Sequence, residues 1–539
     1  MTRPAVAARP AGAVTRPATA AAPPRTIRDE RLARDGRSRR SPAPPATNPL
    51  REGLRLERMP DAHVLVLFGA TGDLSHRKVF PALAQLWRTN LLPPDWMVVA
   101  VGRRPYDDTT FRAEVGRSLD HNSRVPIGDE AKARFLERIV YHRGDFGDAA
   151  AYDALAERLE ALDREQGTSG NRLFYLATQP SAFSEIVAQL GRCGLDHEVH
   201  GGGWRRIVVE KPFGRDLESA KRLNREIGRV FREAQVYRID HYLGKETVRN
   251  LLVFRFANGI FEPLWNRRYV DHVQITMSES IGLEDRGAFY EETGAARDVF
   301  QNHLLQLLTL VAMEPPATLD ADALRDEKVK VFRAARSLSP GSVVRGQYQG
   351  YRDEAGVRPD SEVETFVALR LAIDSWRWAG VPFFLRAGKR LGATALEALV
   401  EFREPPRPLF AEAGTPMPHP NHLRLRLGGG NEGIELSLEA KVPGETMATR
   451  PVPLAFSYAE TLGEQAEAYE RLLNDALDGR QALFAREDGV EECWRIVEPV
   501  IEAPGMLHPY ASGSWGPTAA DDLIRSAGDW HVPQPFSKA

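Results

Sequence analysis

The hydrophobic period of this chain changes once, near residue 240, and that change restricts the fold more than any other feature. Upstream, short apolar runs alternate with helical stretches. Residues 63–68 read as a strand, followed by a helix in which Val79, Leu83, Leu86 and Trp87 recur at spacings of three to four. Residues 97–101, 172–177 and 206–210 read as further strands, and Leu217, Ala220, Leu223, Ile227 and Phe231 mark a helix after the last of them. Strand and helix alternating in this way predict a doubly wound parallel sheet with helices on both faces. Downstream the period is two. Residues 272–279, 363–373, 422–427 and 434–441 alternate apolar with polar side chains, as half-buried antiparallel strands do. Helical stretches at 295–313 and 464–476 lie among them. The expected architecture is α/β followed by α+β, with one domain at 59–240 and a larger one at 241–539 built on a broad antiparallel sheet.

Residues 1–58 fit neither pattern. The first fifty carry ten Arg and nine Pro against three acidic residues. With almost no large apolar side chains, such a segment cannot offset its ordering entropy, and a disordered extension is expected. An organelle transit peptide is the alternative reading, although the repeated Pro breaks an amphipathic helix. In the whole chain 71 basic face 74 acidic side chains. That balance provides no global field to gather polyanions, so nucleic acid is not expected as a main partner, and any anion site must be local. Cys193 and Cys493 are the only cysteines, which excludes a disulfide framework and a Cys-rich metal site, and no metal is expected. No apolar run is long enough to span a bilayer, and the composition suits a reducing, cytoplasmic setting.

Gly69-Ala70-Thr71-Gly72-Asp73-Leu74 lies where the first strand gives way to a helix, a position at which free N–H groups and the helix dipole favour a pyrophosphate. The spacing departs from G-x-G-x-x-G, since Thr71 replaces the second glycine, and a bare strand-turn-helix connection needs glycine too. The second strand strengthens the Rossmann-like, dinucleotide-binding reading. It ends in Gly102-Arg103-Arg104, where a site selective for an unphosphorylated ribose usually carries a carboxylate. Arg103 and Arg104 suit a 2′-phosphate, hence NADP, although a solvated basic turn is the plain alternative. Lys78, one turn into the helix, is a further candidate cation.

A second group of polar residues lies at the domain junction. Arg238-Ile239-Asp240-His241-Tyr242-Leu243-Gly244-Lys245 places a carboxylate, an imidazole, a phenol and an ammonium within six residues. His241, Tyr242 and Lys245 all offer donors to phosphate oxygens, as a chance polar turn also would. His303 shares a helical stripe with Val299, Leu307 and Leu310, which predicts burial, and a structural histidine is the ordinary reading of that pattern. Oxidising a hydroxyl by hydride transfer needs a base for its proton, however, and an imidazole partnered by Asp240 is matched to that task. Glu279 ends the apolar face of its strand and must be paired, by sugar hydroxyls or by a structural arginine. Lys389 closes the stretch 376–389 and in isolation would pass as a surface residue.

Together these motifs resemble the glucose-6-phosphate dehydrogenase family. Gly69 to Leu74, Glu210-Lys211-Pro212-Phe213-Gly214, the junction octapeptide, Arg297-Asp298 with Gln301-Asn302-His303, the Arg386 to Lys389 loop and the closing Tyr510-Ala511-Ser512-Gly513-Ser514-Trp515-Gly516-Pro517 occur in that order. The resemblance covers about residues 60–530. It implies oxidation of the anomeric hydroxyl of glucose 6-phosphate to the lactone, with hydride passing to NADP, at the entry to the pentose phosphate pathway. It further implies His303 as general base with Asp240 as partner, and His241, Tyr242 and Lys245 on the sugar phosphate. Glu279 and Asp298 would bind sugar hydroxyls and Lys389 the substrate. Lys211, before a proline often cis in the family, would lie between substrate and cofactor. Gly69, Ala70, Thr71, Gly72, Asp73, Leu74, Arg103 and Tyr175 would line the nucleotide site, and a homodimer or homotetramer is implied. Three positions depart from the pattern. Glu291 replaces an aspartate, Thr394 a basic residue of the phosphate pocket, and Gln179 a proline. A noncatalytic homologue that binds these ligands and regulates a partner is the rival reading, and the presence of both His303 and Asp240 argues against it.

Overall fold

Alternating apolar runs and helices upstream of residue 240 form a six-stranded parallel sheet in the computed structural model, which describes residues 59–198, 202–407, 418–462 and 466–534. The expected extension at 1–58 and the start of the expected helix at 464–476 lie outside the described residues. The strands are β1 (His63–Phe68), β2 (Trp96–Gly102), β3 (Ile139–Arg143), β4 (Arg172–Leu176), β5 (Arg205–Val209) and β6 (Val236–Arg238). Their order, β3-β2-β1-β4-β5-β6, is that of the doubly wound dinucleotide fold. β1, β2 and β4 are buried along their whole lengths, which is why they read as unbroken apolar runs. The strand order reverses between β1 and β4, and the glycine loop follows β1 at that point. Gly69 has φ +78°, and a Cβ there would sit 2.3 Å from the carbonyl oxygen of Ala177 after β4. Only glycine permits both.

The second sheet has nine strands in the order β14-β13-β12-β11-β7-β10-β9-β8-β15. They are β7 (Val270–Ser278), β8 (Val343–Tyr348), β9 (Phe366–Ala372), β10 (Pro382–Gly388), β11 (Ala395–Phe402), β12 (His422–Gly428), β13 (Gly433–Lys441), β14 (Thr449–Ser457) and β15 (Leu507–Tyr510). It is antiparallel except at β7–β10 and β8–β15, which are parallel, so the broad antiparallel sheet is in detail a mixed one.

Two of the period-two strands, β7 and β12, are not half-exposed as expected. Gln274, Thr276, Arg386, Glu397, Arg424 and Arg426 are polar yet buried. Residues near the C-terminus cover them. Arg386 Nη2 donates to the carbonyl of His531 (2.6 Å), and Arg426 Nη1 to that of Gln534 (2.7 Å). Gln274 donates to the carbonyl of Asp529 and accepts the N–H of His531. Trp515 and Trp530 lie over the Arg386 guanidinium at 5.0 and 4.7 Å. Desolvated guanidinium and amide groups are tolerable there because backbone carbonyls and aromatic faces replace water. Among the described residues of this sheet, the exposed large apolar side chains are Leu438, Leu454 and Phe456, which share one face of β13 and β14.

Candidate active site

The junction between the sheets brings Asp240, His303 and Lys211 together. Asp240 follows β6, and its Oδ1 accepts the backbone N–H of Tyr242 (3.0 Å). The same oxygen lies 2.5 Å from His303 Nδ1 across 63 residues of sequence. His303 stands in Ala296–Leu304, a π-helical segment that runs into the α-helix Leu305–Ala312. It is 2% exposed, and the rings of Tyr242 and His241 flank it at 4.3 and 4.7 Å. Lys211 follows β5 and is joined to Pro212 by a cis peptide bond. Its Nζ donates to His303 Nε2 (2.8 Å), to Asp298 Oδ1 (3.1 Å) and to the Asp298 carbonyl (3.0 Å).

This geometry fixes the tautomer of His303. An ammonium has no lone pair, so Nε2 must be the acceptor from Lys211, and the ring proton sits on Nδ1, where it donates to Asp240. The basic nitrogen therefore faces the cavity, and the carboxylate lies behind the ring. Burial is the largest influence on His303 and lowers its pKa. Asp240 opposes this, and Lys211 adds to it. Burial alone would raise the pKa of Asp240, but the imidazoles of His303 and His241 and the Lys211 ammonium outweigh it and hold the carboxyl well below its usual range. Burial, then His303 and Lys211, push His241 well below its ordinary value, which leaves it a neutral N–H donor at neutral pH.

A cavity of about 160 Å³ opens in front of this pair. Seven of the substrate-side residues singled out from sequence line it, namely Lys211, His241, Tyr242, Glu279, Asp298, His303 and Lys389. Asp240 lies behind His303, and Lys245 lies beyond Tyr242 with its Nζ 4.3 Å from the ring centroid. Burial lowers the pKa of Lys245. Glu279, one residue past β7, pairs with Lys389, one residue past β10, because the parallel register of these strands aligns their ends. Arg286 and Tyr290 also line the cavity, and sequence reading gave neither a role. Their segment carries no periodic signal. A second cavity, of about 230 Å³, lies around Glu291, Arg297, Arg345, Arg358 and Glu364, where Arg345 pairs with Glu364, Arg358 with Glu291, and Arg297 donates to the carbonyl of Arg215 (3.1 Å).

On the nucleotide side the structure places Gly69 to Leu74 at the strand-order reversal. Arg103 and Arg104 are exposed just past β2, and Thr71 approaches the end of that strand. Lys78, half-exposed on the first helical turns, pairs with Glu467 (2.5 Å), 389 residues away in sequence. One residue does not lie where expected. Tyr175 has no exposed surface, since it points into the core from β4 and donates to Glu210 (2.6 Å), so it cannot line a site directly. The three departures are all accommodated away from His303. Glu291 accepts from Tyr351 (2.7 Å), Ser361 (2.5 Å) and Arg358 (2.9 Å). Thr394 accepts the N–H of Ser280 (3.0 Å), and Gln179 is exposed before a short 3₁₀ turn.

A doubly wound nucleotide-type sheet joined to a cavity that presents a carboxylate-backed imidazole defines a two-domain dehydrogenase. Models of the glucose-6-phosphate dehydrogenase NAD binding domain and C-terminal domain match residues 66–250 and 252–531. The chain belongs to the glucose-6-phosphate dehydrogenase family. It is 44% identical over 493 residues to the glucose-6-phosphate 1-dehydrogenase of Aggregatibacter actinomycetemcomitans, covering 88% of this chain and 98% of that one. Among solved structures, the Mycobacterium avium enzyme superposes with a TM-score of 0.78 at 41% identity, covering 88% of this chain and all of the other. A glucose-6-phosphate dehydrogenase bound to glucose 6-phosphate superposes with a TM-score of 0.81 at 34% identity, over 89% of this chain and all of the other.

Proposed function

We propose that this protein oxidises glucose 6-phosphate at its anomeric carbon with NADP as acceptor, through a cofactor domain at 59–240 and a substrate domain at 241–539. The observation that carries the reading is the ordered line Asp240–His303–Lys211, which reaches a cavity lined also by Arg286, Lys389, Glu279 and Asp298. The glycine loop at the strand-order reversal, with guanidiniums at the end of β2, fits a phosphorylated dinucleotide. When bound, that group supplies the acceptor for the hydride leaving the anomeric carbon.

The protein's own part is orientation and proton transfer. His241, Tyr242 and Lys245 hold the sugar's phosphate, and Glu279, Asp298 and Lys389 bind hydroxyls around the ring. With the sugar bound, Lys211 turns from His303 Nε2 toward the reacting oxygen, which frees that nitrogen's lone pair for the proton. As the carbon–hydrogen bond yields its electron pair, His303 Nε2 takes the hydroxyl proton and the C=O bond of the lactone forms. Asp240 stabilises the resulting imidazolium from behind.

The test is direct. Purified protein mixed with glucose 6-phosphate and NADP should generate the NADPH absorbance band, with a kcat/KM for NADP well above that for NAD. Arg103→Ala should remove most of this preference, because a guanidinium contact to the 2′-phosphate is available only in NADP. Absence of turnover with either nucleotide refutes the activity, and a preference unchanged in the variant refutes the role of Arg103. Lys245→Ala should act on binding. Loss of a charge-assisted bond of about 1.5 to 3 kcal/mol raises the KM for glucose 6-phosphate roughly tenfold to a hundredfold at little change in kcat, and an unmoved KM would place the phosphate elsewhere.

A further inference from the structure

Glu210 is a buried carboxylate to which the mechanism above gives no task. It follows β5, is 5% exposed, and accepts the Tyr175 hydroxyl (2.6 Å) from the neighbouring β4. The hydroxyl of Tyr469 and the backbone N–H of Lys211 also face it and favour its ionised form. Tyr469 stands at the start of helix Ala468–Asp478, and its ring stacks on that of His241, with centroids 6.3 Å apart and planes within 17°. The same helix lies hard against the sugar-phosphate loop. A Cβ on Gly244 would come within 2.8 Å of the Ala468 carbonyl and 2.9 Å of Leu472. Glu467, just before the helix, holds Lys78 of the first helical turns. One short turn thus touches the nucleotide-side sheet, the glycine-loop helix and the phosphate loop.

We propose that Glu210 is a positioning residue. Bonded to Tyr175 in the nucleotide-side sheet and facing the hydroxyl of Tyr469 on the helix above, its carboxylate sets the seat of that helix over the phosphate loop and thereby the placement of His241. The inference rests on the functional reading given above. An ionised carboxylate offers lone pairs to both phenols, whereas a carboxylic acid turns one of its oxygens into a donor and loses part of that grip. Burial pushes Glu210 up to about 7, against the opposing bonds from Tyr175 and Tyr469 and the charge of Lys211, which are the polar groups that face it. Its grip is therefore complete above that pH and weakens as pH falls through it.

Glu210→Gln, Tyr469→Phe and the double variant of the full chain test this by steady-state kinetics. Each single change should raise the KM for glucose 6-phosphate roughly tenfold. The double variant should be no worse than the more affected single, because both break one contact. The KM for NADP should stay within about twofold, since an effect confined to His241 leaves nucleotide binding intact. The wild-type KM for the sugar should rise on the acid side of neutrality more steeply than that of Glu210→Gln. The substrate's own phosphate and His303 contribute alike to both proteins, so the difference isolates Glu210. Tyr469→Phe keeps the ring and removes a single hydroxyl, which preserves the test if the Glu210 variant folds poorly. Unchanged sugar KM in Tyr469→Phe, or a lowered melting temperature as the sole effect, overturns the positioning role. A wild-type protein inactive on glucose 6-phosphate overturns the functional reading itself, whereas an active wild type with unaffected variants overturns the positioning role alone.

Discussion

His303→Asn lowers kcat for glucose 6-phosphate oxidation by at least about a hundredfold, the lower end of the range for a positioned general base, while the KM for the sugar changes little. The reason for the split lies in where the contacts are. The proposed phosphate ligands His241, Tyr242 and Lys245 and the ring ligands Glu279 and Lys389 remain in place, so ground-state binding persists. Only the proton acceptor at Nε2 is lost, and that interaction is made as the hydroxyl bond breaks. Asparagine is smaller than histidine and occupies a position 2% exposed, so some stability is lost as well. A melting curve and the retained sugar KM separate that loss from the chemical one. Turnover within a few-fold of the wild type would remove His303 from the chemistry.

The first sheet was legible because its central strands are apolar on both faces. β3 and β6 escaped notice for opposite reasons: β3 has two buried residues before it turns polar, and β6 is three residues long. In the second sheet the alternation of polar and apolar side chains marked β7, β9, β12 and β13 and missed the other five strands, and it could not show that the polar face is covered. The cover comes from residues 529–534, an aperiodic stretch whose work is done by backbone carbonyls, and carbonyls leave no trace in side-chain pattern. The site divides similarly. Asp240 and His303 were found by their chemistry and by motif resemblance, since no local spacing links residues so far apart. Their contact depends on a π-helical stretch that a 3.6-residue period does not describe. Nothing in the local pattern around Lys78 shows its partner, Glu467, which arrives from far along the chain. Glu210 was read only as part of a motif, and Tyr469, the residue that gives it a structural task, carries no sequence mark at all.

Asp240→Asn tests the same mechanism from behind the imidazole, and kcat should fall by about 10² to 10⁴ with the protein still folded. The substitution is nearly isosteric, and an amide oxygen in place of Oδ1 still accepts the Tyr242 N–H, so the loop keeps its shape. What disappears is a full negative charge 2.5 Å from Nδ1, at the point where a positive charge develops on the ring. In the flipped orientation the amide gives up the Tyr242 N–H and presents its NH₂ to Nδ1, which would draw the proton to Nε2 and leave no lone pair facing the sugar. The direction of the pH response follows from the same charge. His303 already lies below its ordinary value through burial, and Asp240 is the chief influence raising it. Removing the carboxylate therefore lowers the pKa of His303 further. A base works only when unprotonated, so activity is lost as pH falls through that pKa, and the acid limb of kcat/KM should move to lower pH in the variant even as the plateau collapses. A plateau at the wild-type level, or an acid limb displaced upward, would mean that the carboxylate behind His303 does not act on the proton transfer.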